Sequence, residues 1–395
     1  MYSIVNLDST VRTTPGYIQV AGIVLERDVK RWGAIRVFSG VDPETRKPDP
    51  KLWATPGAQL RAMDLGTPLN LPHSPTPTLT CGWVLLVVAD MLAAHKLNPF
   101  VESPSAYCPC RECAWDTRSP HAYQPVSFMK EGETCRWKCY TTDDLETALK
   151  TLRALPISAR TAPMQDMGIN SVDHALCPDY VPKFRCAEGQ PQDEMHAEDD
   201  GLLRAEAYQL LNVTLRKWKP YGFTLDRLNA ALLDWNWEGR TIPPLHQSVL
   251  EGAKGGVPSQ GAHLRYTASQ TVTFSRALQH IMAPFIHDPK EPAWLSWLAH
   301  MYYFELKMAR QFDDESILAL EQAVVDHQLK FDRVPEYAGL FVYKHHAALH
   351  SARNIYWCGP AILRTARMFE NKLQYIKRRA AASNYKNPIF SVHPP

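Results

Sequence analysis

The sequence predicts an α/β protein, and two observations carry that expectation. The first ninety residues read as strands, in Val- and Ile-rich runs punctuated by Gly and Pro. The middle of the chain reads as helices, with apolar residues recurring at steps of three and four. The strand candidates are "YSIVNLDSTV", "GYIQVAGIVLE", "GAIRVFSGV" and "GWVLLVVAD", with a short helix around "GAQLRAMDL" between the last two.

After this strand region (residues 1–97) comes a loop-like stretch, 98–142, that holds five of the nine cysteines. Residues 143–343 are mainly helical. Asp is a plausible N-cap for "DDLETALKTLRALP". Five further segments have helical spacing: "DGLLRAEAYQLLNVTLRKWK", "FTLDRLNAALLDW", "SQTVTFSRALQHIMAPF", "PAWLSWLAHMYYFELKMARQF" and "DESILALEQAVVDHQLKF". "EGAKGGVPSQGAH" reads as a flexible loop, and residues 344–395 close the chain with a basic helix over roughly 360–382.

A chain of 395 residues, 45% hydrophobic, exceeds the size at which a single core usually stops growing, so several substructures are expected. Net charge is only +2, which excludes a polycation. There is no run of eighteen apolar residues, and "MYSIVNLDST" lacks the pattern of a signal peptide. A soluble, intracellular protein is expected, with no membrane partner and with cysteines serving as thiols or metal ligands rather than disulfides.

Asp90 ends the most apolar strand candidate. In the terminal helix Ile362, Ala366, Phe369, Leu373 and Ile376 form one apolar stripe, and Glu370 lies beside it. Between Lys344 and Lys386 there are nine Lys or Arg and a single acidic residue, Glu370. A solvated basic face with one incidental Glu would give the same composition. Two strand-borne Asp residues and a helix-borne Glu also suit two-metal phosphoryl transfer, which needs carboxylates converging from separate elements. Asp8 on the first strand is the natural neighbour of Asp90, with Asp28, Asp42 and Asp64 as competitors. Two Mg²⁺ (or Mn²⁺) ions are the cofactors such a site takes.

"CPCREC" and "CRWKC" give Cys110-x2-Cys113 and Cys135-x3-Cys139, a spacing that suits one structural Zn²⁺. Cys108 is a substitute for Cys110, mixed ligation with His196 is a variant, and buried free thiols are the alternative. Asp193 and His196 are spaced to share one helix face, which a helix-start histidine would also satisfy.

Three segments in order resemble the eukaryotic cut-and-paste DDE DNA transposases of the CMC and KDZ groups (CACTA-like, Plavaka-like and Zisupton-like elements). They are "VVADMLAAHKLNPFVESPSAYCPCREC", "PQDEMHAEDDGLLRAEAYQLL" and "KHHAALHSARNIYWCGPAILRTARMFENKLQYIKRRAAASNYKNP". The resemblance is good over roughly residues 80–390 and generic before that. It implies an RNase H-like core interrupted by the Cys-rich region and a large helical insertion. Asp8, Asp90 and Glu370 would be the catalytic triad and Asp193/His196 the C/D-x-x-H pair. Lys372, Lys377, Arg378, Arg379 and Lys386 would contact DNA phosphates.

It further implies strand cleavage and transfer on transposon ends and target DNA, a nuclear location and a homo-oligomer. Met1 lies just ahead of Asp8, where such enzymes carry a DNA-binding segment, so a truncated or domesticated copy is expected. The rival readings are a non-catalytic remnant that binds nucleic acid or protein, and a stand-alone RNase H-type nuclease.

Overall fold

The computed structural model describes residues 137–174, 183–235, 242–246 and 263–367. It also describes most of 98–119, positions 91, 94, 95, 122 and 176, and the backbone of six short strands within 2–89. Helices α1 (Thr142–Ala154), α2 (Thr161–Asp166), α3 (Leu203–Lys217), α4 (Leu225–Asp234) and α5 (Ala268–Met282) come first. They are followed by α6 (Pro292–Lys307), α7 (Asp314–Asp332), α8 (Tyr343–Ala348) and α9 (Ser351–Cys358). A π-helical segment, Met195–Leu202, runs directly into α3.

Local chemistry sets several of these boundaries. Thr141 and Asp144 form a reciprocal capping box at α1, as Thr267 and Gln270 do at α5 and Asp313 and Ser316 at α7. Thr224 caps α4 through the Arg227 amide. Each such cap satisfies a backbone donor the helix cannot, worth about 1 kcal/mol. Pro292 opens α6, where its missing N–H is not needed.

The α/β expectation is corrected by this architecture: the described residues are mainly helical and do not form an RNase H-like core. Strand backbone is confined to short pieces; Tyr2–Leu7 pairs antiparallel with Tyr17–Gly22 and parallel with Trp83–Ala89. An α/β domain layers helices on a sheet. Here helices pack on helices, α6 against α7, α3 against α5 and α6, and α7 against α9. The physical reason lies in the helical periodicity between residues 203 and 332. It gives α3, α5, α6 and α7 apolar faces that bury against one another, with Leu211, Phe274, Phe304 and Leu320 fully enclosed. Among the described residues, no helix is long and apolar enough to cross a membrane.

The Cys-rich stretch shares this core. Cys110, Cys113, Trp115 and Ala122 belong to the same buried cluster as Leu203 and Tyr343. The stretch is pinned at Gly168, whose φ of +64° suits glycine and where a Cβ would lie 1.9 Å from the Cys108 carbonyl oxygen. Val101 donates its amide to the Gly168 carbonyl, and the Cys108 thiol donates to that of Asp166.

Candidate metal centre

Cys110 and Cys113 sit in a turn held by backbone pairing. The Cys113 and Cys139 backbones form an isolated bridge, the Ala114 amide donates to Lys138, and the Tyr140 amide donates to Glu112. The fully buried Arg111 between the cysteines donates to the carbonyls of Gln190 and Pro191. Arg353 of α9 reaches back to the carbonyls of Glu112 and Tyr140.

Two histidines from the far end of the chain complete the group. His346 lies on α8, and His350 lies one helical turn on, at the start of α9. All four side chains are buried, and their ligand atoms lie within 4.8 Å of one another. His350 Nε2 is 3.5 Å from Cys110 Sγ, His346 Nε2 is 3.3 Å from Cys113 Sγ, and the two Nε2 atoms are 3.3 Å apart.

Those separations are a test for a metal. A tetrahedral ion about 2.3 Å from sulfur and about 2.0–2.1 Å from nitrogen leaves sulfur–nitrogen edges of about 3.5 Å and a nitrogen–nitrogen edge of about 3.3 Å. The geometry fits. Burial pushes the Cys110 thiol up, yet Cys113 and the His350 and His346 rings outweigh it and hold the thiol well below its ordinary range. Trp115 stacks on His346 at 4.2 Å and donates its indole N–H to the Ala122 carbonyl, which fixes the ring plane. Protein encloses the site, so it offers no position for a substrate.

Of the four cysteines expected to bind zinc, the structure brings Cys110 and Cys113 together with the two histidines. Cys139 is half-buried and contributes its backbone bridge rather than a place in the group; Cys135 lies outside the described residues. The H-x3-H at 346–350 was the missed signal: it repeats at one helical turn and matches the C-x2-C in ligand type.

Asp193 and His196 do form a pair. The buried Asp193 carboxylate meets His196 Nδ1 through Oδ2 and accepts the His196 amide. Its other oxygen accepts the Ala366 amide at 2.7 Å. Arg367 next door clamps Asp199 with two guanidinium nitrogens, and the Arg364 guanidinium donates to the Gln192 carbonyl. Burial pushes the Asp199 carboxyl up to about 7 against the pull of Arg367. The pair therefore anchors the start of the terminal segment. Asp8, Asp90, Glu370, Lys372, Lys377, Arg378, Arg379 and Lys386 lie outside the described residues.

No protein-family model matches the chain, and no curated protein matches it either.

Proposed function

We propose that this chain is a zinc-organised DNA-processing protein related to the cut-and-paste transposases. A structural Zn²⁺ at Cys110, Cys113, His346 and His350 would fasten the loop after Asp90 to the helices before Glu370. The observation that carries the reading is the four-ligand geometry, with edges of 3.3 and 3.5 Å matching a tetrahedral ion. Thiolate and imidazole donors select zinc over harder ions, and four protein ligands make the site structural.

Support for the DNA chemistry comes from the order of the three sequence segments that resemble transposases. In this reading Asp8, Asp90 and Glu370 bind divalent ions that activate an attacking oxygen and stabilise the leaving one. Asp193, by accepting the Ala366 amide, holds the segment that precedes Glu370 in the sequence. The basic residues beyond Glu370 contact the phosphate backbone.

The test has two parts. Purified protein should carry sulfur-ligated zinc that is lost in Cys113→Ser; sulfur-ligated zinc retained in that variant would refute the centre. With Mg²⁺ the wild type should nick plasmid DNA, and Asp90→Ala should bind DNA while nicking at least a hundredfold more slowly. Unchanged nicking by Asp90→Ala would refute the catalytic assignment. DNA binding without cleavage by the wild type would leave the non-catalytic remnant.

A further inference from the structure

A second buried group lies in the helical body. Glu206 on α3 meets His300 from α6 and His327 from α7, and all three side chains are at most 3% exposed. A buried carboxylate needs a positive partner. Lys307 and Arg364 do not supply it: Lys307 sits 2.6 Å from Glu194 and 2.9 Å from Glu198, and Arg364 sits 3.3 Å from Glu194. Among the described residues, the ion-pair partners of Glu206 are all imidazoles.

His345 Nδ1 accepts the Val342 amide, so its Nε2 carries hydrogen and faces Glu206 Oε1 at 3.2 Å. His300 Nε2 lies 2.6 Å from Glu198 Oε1, an acceptor, so that nitrogen carries hydrogen too. In neutral His300 the lone pair is then on Nδ1, which lies 2.8 Å from Glu206 Oε2 without a hydrogen-bond partner. His327 Nε2 approaches the same oxygen at 2.8 Å. Two ring nitrogens thus meet one carboxylate oxygen, and among the described residues no Lys or Arg pairs with Glu206.

We propose that Glu206, His300 and His327 bind a divalent transition-metal ion of the zinc class, a second metal site distinct from the thiol centre. The two edges to Glu206 Oε2 are 2.8 Å and the three ligand atoms all lie within 4.8 Å of one another, and an ion of this class takes such ligands at about 2.0–2.2 Å. Glu198 on His300 then acts as the outer partner that fixes a ligand's tautomer and orientation. The ion would tie α3, α6 and α7 together. Nitrogen and oxygen ligands make the site harder than the thiol centre and selective for a different range of ions.

The full-length protein, stripped with chelator and titrated with Co²⁺, tests this directly. With excess Mg²⁺ present to occupy the carboxylates of the proposed catalytic site, two tight equivalents should bind, only one of them bringing thiolate-to-metal charge-transfer absorption. Cys113→Ser should keep one ion without that absorption, and Glu206→Gln should keep one with it. Binding of a single equivalent that carries thiolate absorption would overturn the second site, leaving a proton on His300 as the neutralising charge, and would not touch the first. A single ion lost in Glu206→Gln and kept in Cys113→Ser would support the second site and sink the thiol centre. The wild-type titration stands alone should either variant fail to fold.

Discussion

The thiol centre and the Glu206 cluster are buried equally well but are built in opposite ways. Cys110 and Cys113 come from a loop with little regular structure, and their partners lie more than two hundred residues away. Glu206, His300 and His327 come one each from three long helices that pack without help. At the first site the ligands form the local structure; at the second an existing helical body holds the ligands. A metal should therefore matter to folding at the first site and to fine packing at the second.

That contrast can be broken first where the expected effect is greatest. Removing zinc with a chelator, or making Cys113→Ser, should unfold the Cys-rich stretch with α8 and α9. Structural zinc binding in small domains is worth about 10–16 kcal/mol, far more than a typical domain's net stability. Amide hydrogen exchange should show 105–119 and 343–358 losing protection while α6 and α7 keep theirs. Uniform loss across the body would erase the distinction.

Glu206→Ala comes next. It removes a buried carboxylate from three imidazoles, and breaking a buried pair in this way costs about 3–5 kcal/mol. Chemical denaturation should register the loss as a lower midpoint with zinc at the thiol centre unchanged.

Gly168→Ala sharpens the comparison because it acts on the loop alone. Strain at the positive φ and the contact with the Cys108 carbonyl should cost about 2–3 kcal/mol. Zinc affinity should fall at the thiol centre and stay unchanged at Glu206. The smallest effect is expected for Asp193→Ala, about 1–2 kcal/mol, as the Ala366 amide loses its acceptor. Faster hydrogen exchange at Ala366, with α3 unaffected, would locate that loss.

The sequence revealed these features unevenly. Helices α1 and α3–α7 were legible because each carries an apolar stripe long enough to read locally. Helices α8 and α9 were missed because each is a single short piece, and His346 in α8 and His350 just before α9 were not read as ligands. Cys110-x2-Cys113 was legible as half a site. Its completion was sought at Cys135 and Cys139 because sequence reasoning favours near neighbours, whereas the fold brings in the opposite end. The Asp193–His196 pair was found, but not its hold on Ala366. Nothing in the sequence marks Glu206, His300 and His327 as a group, since they share no spacing and meet only through helix packing. The α/β fold class failed because strand-like segments near the start of the chain were weighted over a helical body that builds its own core.

Zinc-edge X-ray absorption on the purified protein tests the central claim most directly. Sulfur scatterers at about 2.3 Å alongside imidazole nitrogens at about 2.0 Å are the expected first shell. A shell made only of nitrogen and oxygen, with no sulfur, would contradict the assignment of Cys110 and Cys113 as ligands and the account built on it.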